Sequence, residues 1–329
     1  MNNLSIIGFG SIGQKHLKNF IKLSKSNKIY IVSERNHKSK NKRIFFLKKI
    51  EELIDKQVSL ILICTPANQH LKNLSICLKF LQKDVRYFLE KPITTDYLSS
   101  KKFYNKNTPE LMSTMLVGYQ FSYSKAFNKL CKLVKSNYKK KILSVNVVCN
   151  SFLPNWRSNR DFRKSSSLKK TEGGGALLEL SHEIDYIRNL FGSPTKVVSS
   201  TIQKNLFKSN IEESVSAFLI FAKNFTLHLQ LNFNHEFNES RYCEINFENK
   251  RLFWNILENS ITIISKHNKK RVIKFKDNYF ETQSKYLLSI VDKKKKLKFN
   301  SFYDSMKNLE IIDSLKKSKK KNKFIEISK

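Results

Sequence analysis

The sequence predicts an α/β protein in two domains, a doubly wound parallel sheet followed by an α/β domain with an open, mainly antiparallel sheet. Three observations carry that expectation. The first 120 residues alternate short, wholly apolar runs with helical patterns, and a glycine cluster follows directly on the first run. Past residue 120, strand-like runs succeed one another at close spacing with little helix between them. Apolar runs without polar alternation suit strands covered by helices on both faces, and a β-α-β-α order makes a parallel sheet the economical arrangement. At 329 residues the chain exceeds one ordinary core, and the division falls at 1–120 and 121–329.

Taken in order, residues 4–8 (LSIIG) read as a strand, 14–23 as a helix and 29–33 (IYIVS) as a strand. A helix at 50–55, a strand at 60–64 (LILIC) and a helix at 69–82 follow, with further strands at 85–89 and 112–118. Beyond them, 121–137 fits one helical stretch, 142–152 a strand, and 173–191 a long helix entered through glycines. Runs at 215–221 and 226–233 flank an Ala-Lys-Asn turn, and those at 242–247, 252–256, 261–264 and 272–275 continue the antiparallel sheet. The lysine run 293–298 separates this sheet from a terminal helix that begins near Phe302, ends in FIEI, and is a candidate to dock back on the first domain.

The formal net charge is +35, from 62 Lys and Arg against 27 Asp and Glu. That excess suits nucleic acid or an anionic membrane. It is spread from Lys15 to Lys329 without charging one face of any element, so a solvated surface is the better reading and neither nucleic acid nor membrane is an expected partner. The five cysteines form no CxxC pair and no cluster with histidine, which points away from a zinc site or a disulfide framework. MNNLSIIGFG lacks the basic start and apolar run of a signal peptide, and no apolar segment reaches the roughly 18 residues of a membrane span. A cytoplasmic protein is expected.

Six of only 8 glycines fall in two clusters, Gly8, Gly10, Gly13 and Gly173, Gly174, Gly175. Gly8-Phe9-Gly10-Ser11-Ile12-Gly13 is a G-x-G-x-x-G that follows a strand and opens a helix. Gly8 permits the tight turn, Gly10 the approach of a pyrophosphate, and Gly13 close helix–strand packing, while the amides of Ser11 and Ile12 open the helix toward an anion. Dinucleotide binding on a Rossmann domain is the reading. Glu34 stands at the end of the second strand, where an acid holds a ribose 2′-hydroxyl, and leans toward NAD. Its neighbours Ser33 and Arg35 suit the 2′-phosphate of NADP, and the choice stays open.

Two more motifs carry chemistry. Leu89-Glu90-Lys91-Pro92 closes the strand at 85–89, at the sheet edge where doubly wound folds bind ligands. A lysine there can steady charge developing on a substrate oxygen; taken alone, the pair is more often a surface feature. In TEGGGALLELSHEIDYIRNLFG, Leu177, Leu180, Ile184, Ile187 and Phe191 make the core stripe, and the helical period puts Glu179, His182 and Tyr186 opposite it. His182 is therefore either a solvated histidine or a proton acceptor near a ligand, with Glu179 to orient it. Between these motifs, Trp156 offers a face to a sugar, and Arg157, Arg160 and Arg163 suit an anionic or hydroxylated ligand; a solvated basic loop reads nearly as well.

With GFGSIG, CTPANQH at 64–70, EKP at 90–92 and GGGALLELSHEID at 173–185 in this order, the chain resembles the glucose-fructose oxidoreductase / inositol dehydrogenase family, Gfo/Idh/MocA. The resemblance covers nearly the whole chain. It implies tightly held NAD or NADP and hydride transfer at a carbinol carbon of a sugar, cyclitol or nucleotide sugar. It also implies homo-oligomers built on the open sheet. It assigns catalysis to Lys91 and His182, and adds Thr65, Pro66, His70 and Glu90 to the cofactor site and Tyr119 and Asp185 to the substrate site. The family's aspartate four residues before the histidine is Leu178 here, with Glu179 one residue closer. The GGG-LLELSHE form, with its upstream basic stretch, is similar to a branch met in surface-glycan gene sets. A non-catalytic NAD(P)-binding regulator of the same fold is the competing reading.

Overall fold

The computed structural model describes residues 3–81, 85–137, 140–156, 161–237, 239–276, 278–291 and 300–327. They form two compact units, 1–120 with 278–306, and 121–277 with 307–329.

The first unit runs β1 (Asn3–Ile7), α1 (Ser11–Leu23), β2 (Ile29–Val32), β3 (Ile44–Leu47), β4 (Val58–Ile63), α2 (His70–Phe80), β5 (Arg86–Leu89), α3 (Tyr97–Lys106), α4 (Pro109–Met112) and β6 (Met115–Val117). Its six strands are ordered β3-β2-β1-β4-β5-β6, and every neighbouring pair is parallel. The order reverses between β1 and β4, so the loops leaving those two strands part at their carboxyl ends and leave room for a ligand. Leu4, Ile6, Ile29, Ile31, Leu60 and Leu62 are all fully buried, as a sheet covered on both faces requires. Residues 50–55 form a 3-10 helix, Ile50–Lys56, rather than an α-helix. The sequence reading passed over β3, a four-residue edge strand with only partial burial, and α3, which Asp96 caps by accepting from the Ser99 amide at 2.8 Å.

The second unit begins with a 3-10 turn, Gln120–Tyr123, and α5 (Lys125–Ser136); the single helix expected at 121–137 is divided there because Ser124 caps α5, accepting from the Phe127 amide. Then come β7 (Ile142–Asn150), α6 (Ala176–Glu179), α7 (Ser181–Phe191), β8 (Lys196–Ile202), β9 (Ser214–Phe221), β10 (Phe225–Asn232), β11 (Ser240–Phe247), β12 (Lys250–Asn255), β13 (Ser260–Ser265) and β14 (Lys270–Lys274). The long helix expected from Gly173 is two helices. Gly173 and Gly175 have φ of +97° and +112°, which delays entry to Ala176, and Leu180 at φ −94°, ψ 27° separates α6 from α7.

After β14 the chain returns to the first unit with α8 (Tyr279–Ser289), whose Leu287 joins Leu17, Phe20 and the sheet in one core. The sequence reading ran the second domain unbroken from 121 to 329; residues 278–306 belong with the first unit because α8 supplies apolar side chains to α1. The lysine run 293–298 lies outside the described residues. The last helix is α9 (Phe302–Lys321). FIEI is not its end but the site of a short strand, β15 (Ile325–Glu326), paired with β8. The second sheet is ordered β14-β13-β12-β11-β7-β10-β9-β8-β15, with β7 and β10 parallel and the other pairs antiparallel. One face is packed: on β9, Val215, Ala217, Leu219 and Phe221 are buried, and Ser199 of β8 donates to the Leu315 carbonyl of α9 at 2.7 Å. The other face shows Leu143, Ile202 and Phe218 to the surface. Among the described residues no helix is long and apolar enough to cross a membrane.

Candidate functional site

The glycine loop leaves β1 and meets the loop leaving β4. A Cβ on Gly8, where φ is +93°, would lie 2.8 Å from the Cys64–Thr65 backbone, and one on Gly13 would lie 2.3 Å from the Gly8 carbonyl oxygen. Both positions are closed to a side chain by the protein itself. At Gly10, the N-cap of α1, a Cβ would meet nothing within 4 Å. The loop is therefore tight where strand and helix pack and open over the helix end. Ser11 and Ile12 form the first turn of α1, and the first helical hydrogen bond runs from the Gln14 amide to the Gly10 carbonyl at 3.0 Å, so the amides before it lie outside the helical ladder. Open ground over a helix N-terminus fits a pyrophosphate.

Glu34 and Arg35 follow β2, and both are exposed. Lys48, just past β3, donates to the Glu34 carbonyl at 2.9 Å and to the Asn36 side chain. It is a cation beside the acidic position that the sequence reading did not single out, because β3 was not recognised.

Thr65 and Pro66 leave the end of β4. The Thr65 hydroxyl accepts from Asn73 at 3.1 Å, and its carbonyl lies 2.7 Å from Nε2 of His70. Nδ1 of His70 is 2.9 Å from the Pro92 carbonyl, and the residue is 1% exposed. Burial lowers the pKa of His70, and the two carbonyls and the Glu90 charge pull the other way. Placed with the cofactor residues on sequence, His70 lies with its two ring nitrogens against carbonyls of the loops after β4 and β5, and its neutral ring donates its single N–H to one of them.

Glu90 and Lys91 stand at the end of β5, next to β4 in the sheet. Oε1 of Glu90 lies 2.8 Å from Nε2 of His16, a fully buried residue of α1, and Oε2 accepts from the Lys91 amide at 3.3 Å. Beside this group the Cys64 thiol is held well above its ordinary pKa, by burial first and by Glu90 second. Burial also pushes Cys77 and Cys149 up to about 12 and Cys131 to about 11, so these thiols stay protonated and poor as nucleophiles at neutral pH. Tyr119 is buried, and Asn300 donates to its carbonyl at 2.7 Å.

In the second unit, Glu179 ends α6 and accepts from the Ser167 hydroxyl at 2.7 Å. His182, half-buried, lies in the first turn of α7, so the break at Leu180 removes the common helical face that the sequence assigned to Glu179, His182 and Tyr186. Tyr186 is fully buried, which corrects its placement on an outer face. The His182 ring meets the edge of Phe121 at 5.5 Å, and the Arg241 guanidinium lies 4.8 Å from the centre of the Phe121 ring. Arg241 in turn grips Glu183, itself fully buried, at 2.7 and 3.0 Å. Burial opposes the Arg241 charge, and the Glu183 carboxylate overcomes it and raises the pKa. No spacing in the sequence announces this stack, since Phe121, His182 and Arg241 lie on three separate segments. Asp185 is buried, with Oδ1 accepting from Asn308 at 2.9 Å and Oδ2 from Asn189 at 3.2 Å. The Asn308 bond ties α7 to α9, the Asn189 bond runs within α7, and together they give a packing role to a residue assigned to substrate on sequence.

Trp156 ends a 3-10 turn, Leu153–Trp156, with its ring edge-on to Phe233 at 5.0 Å. Arg163 is exposed and pairs with Asp161 at 3.4 Å. Arg157 and Arg160 lie outside the described residues. Among the described residues no group of three His, Cys, Asp or Glu is placed to hold a metal ion.

A model of the oxidoreductase family Gfo/Idh/MocA, NAD-binding Rossmann fold, matches residues 3–107. A model of the Gfo/Idh/MocA C-terminal domain matches 127–253. No curated protein matches the chain by sequence. Among solved structures, levoglucosan dehydrogenase in complex with NADH is similar at a TM-score of 0.83 and 16% identity, over 100% of this chain and 99% of that one. An aldose-aldose oxidoreductase from Caulobacter crescentus, complexed with glycerol, gives 0.82 and 13%, over 99% of each chain. The myo-inositol 2-dehydrogenase from Lactobacillus plantarum gives 0.77 and 16%, again over 99% of each. At such identities the likeness to solved structures is one of fold, whereas the two sequence-family matches stand in chain order over most of the length. The chain belongs to the Gfo/Idh/MocA oxidoreductases, with an NAD-binding Rossmann domain at its N-terminal side.

Proposed function

We propose that the protein oxidises or reduces a carbinol carbon of a sugar, cyclitol or nucleotide sugar, with a role in surface-glycan synthesis as its setting. The observation that carries this reading is the open ground at Gly10 on the same sheet edge as Lys91. Gly8, Gly10, Ser11, Ile12 and Gly13 would hold the pyrophosphate, and Glu34 the adenosine ribose, with Arg35 and Lys48 as the groups that would admit a 2′-phosphate. The nicotinamide, when bound, supplies the hydride acceptor or donor. The chain's own residues handle the proton: in the oxidative direction His182 takes it from the substrate hydroxyl, and the Lys91 ammonium donates a hydrogen bond to the oxygen as charge builds there. Trp156 and Arg163 support the reading of a hydroxylated substrate.

The experiment is an NADH fluorescence titration, followed by turnover with NAD and NADP against levoglucosan, myo-inositol and glucose. Binding with turnover of at least one polyol or sugar is the expected result. Tight binding with no turnover on a broad panel would make the chain a cofactor-binding regulator instead. We also propose a homo-oligomer on the open sheet face, supported by exposed Leu143 and Phe218. Light scattering at micromolar concentration is expected to give more than one chain, and Phe218→Lys to reduce it.

A further inference from the structure

The Glu90 carboxylate is the meeting point of three features that nothing in the Rossmann fold alone requires. His16, three residues after the last glycine of the loop, brings Nε2 to 2.8 Å from Oε1. A carboxylate only accepts, so Nε2 carries the proton and donates. The Lys91 amide donates to Oε2. On the side of β6, Gly118 leaves space that a Cβ would fill, since it would stand 2.9 Å from Oε2. The surroundings of His16 are apolar: the rings of Phe20, Phe88 and Phe280 lie 6.1, 5.5 and 4.8 Å from its own. Nδ1 of His16 is buried without a hydrogen-bond partner among the described residues.

Setting an imidazole and a carboxylate among three phenylalanines costs free energy that an apolar pair of similar volume would not. The cost is borne at the one point where β5 turns into Lys91. On the other side of Lys91, the Pro92 carbonyl is engaged by the second buried histidine, His70. The residues before and after Lys91 are thus each fastened to a buried imidazole, one from α1 and one from α2. Since α1 also carries the glycine loop, its register is transmitted to the lysine through a single hydrogen bond.

We propose that His16 is a positioning residue for Lys91, acting through the Glu90 carboxylate. The proposal rests on the role given to Lys91 above, and the test keeps the two apart. Two variants are compared with wild type: His16→Leu, which removes the donor, and His16→Gln, whose side-chain amide can restore it. For each, the NADH dissociation constant is measured by fluorescence, and the acylation rate of the Lys91 amine by acetic anhydride is followed in its own peptide by mass spectrometry. kcat and KM are measured with the panel polyol that wild type turns over. In His16→Leu the NADH constant and KM are expected to hold, the Lys91 acylation rate to change against unchanged rates at Lys22 and Lys285, and kcat to fall by about 10²-fold, the scale of a group displaced by an ångström. His16→Gln is expected to recover most of both.

If the two variants lose thermal stability equally and neither alters kcat or Lys91 reactivity, the pair is only packing and the proposal falls. Should His16→Leu prove too unstable to purify, His16→Asn, whose shorter amide falls short of the Glu90 carboxylate, carries the test against His16→Gln: wild-type Lys91 reactivity and kcat in His16→Asn would overturn the proposal. Lys91→Met is the control. If it retains turnover, the reading of Lys91 fails; if it abolishes turnover while His16→Leu does not lower it, the positioning role alone fails.

Discussion

The two side chains assigned to proton handling are supported in opposite ways. Lys91 sits on a turn whose flanking residues are fastened to buried histidines, within a sheet edge set by parallel strands. His182 sits two residues past a helix break, against a stack of Phe121 and Arg241 whose charge is balanced by buried Glu183. The first support is a pair of hydrogen-bond contacts from buried imidazoles, one to the Glu90 side chain and one to the Pro92 carbonyl, on either side of the lysine. The second is assembled from side chains on segments far apart in sequence. A site of the first kind keeps its shape when a surface charge changes; one of the second kind depends on a buried ion pair staying whole.

The largest expected effects are on turnover. Lys91→Met and His182→Ala are each expected to lower kcat by roughly 10²–10⁴-fold, with NADH affinity kept, if each acts as proposed on the substrate oxygen or its proton. Near-normal turnover in His182→Ala with loss in Lys91→Met would make the lysine the base and reverse the division of roles.

The comparison sharpens on stability. Arg241→Met leaves Glu183 charged and fully buried, and is expected to cost about 3–5 kcal/mol by denaturant titration. The double variant Arg241→Met, Glu183→Gln is expected to regain much of that loss. An additive double variant would mean that the two residues do not act as a pair.

The glycine loop divides in the same manner. Gly13→Ala forces a Cβ to 2.3 Å from the Gly8 carbonyl and is expected to destabilise the protein by about 1–3 kcal/mol. Gly10→Val meets no protein atom near its Cβ, so its Tm is expected to stay near wild type while calorimetry shows NADH binding lost. Unchanged NADH affinity would remove the loop from the cofactor site.

The smallest effect concerns the docking of α8. Glu281 accepts from Lys22 and Lys285 at 2.7 and 2.8 Å, and those bonds hold its pKa at about 2, below the ordinary 4.5. A depressed folded pKa means the contribution is complete above pH 4.5 and is lost as pH falls toward 2. The pair is exposed, so the effect is modest. The Tm difference between wild type and Lys22→Ala is expected to be present at pH 6 and to shrink between pH 4.5 and 2; a pH-independent difference would deny the pair any role.

The parallel sheet, the glycine loop and the Glu90-Lys91-Pro92 turn were legible in the sequence because each depends on local constraints. Apolar runs without alternation require cover on both faces, and a glycine is needed wherever backbone approaches backbone, as at Gly8 and Gly13. The antiparallel pair β9–β10 and the antiparallel run β11 to β14 were legible for a similar reason: short strands joined by tight turns signal themselves. Tertiary structure decided what depends on a partner remote in sequence. His16 shows nothing on α1 to distinguish it from a core residue until β5 brings Glu90 beside it. Asp185 becomes an anchor only when α9 supplies Asn308, and the break at Leu180 undoes a helical wheel that was continuous on paper. A side chain's role is set by the free energy of its hydrogen-bond partners once buried, and those partners exist only after distant strands and helices have met.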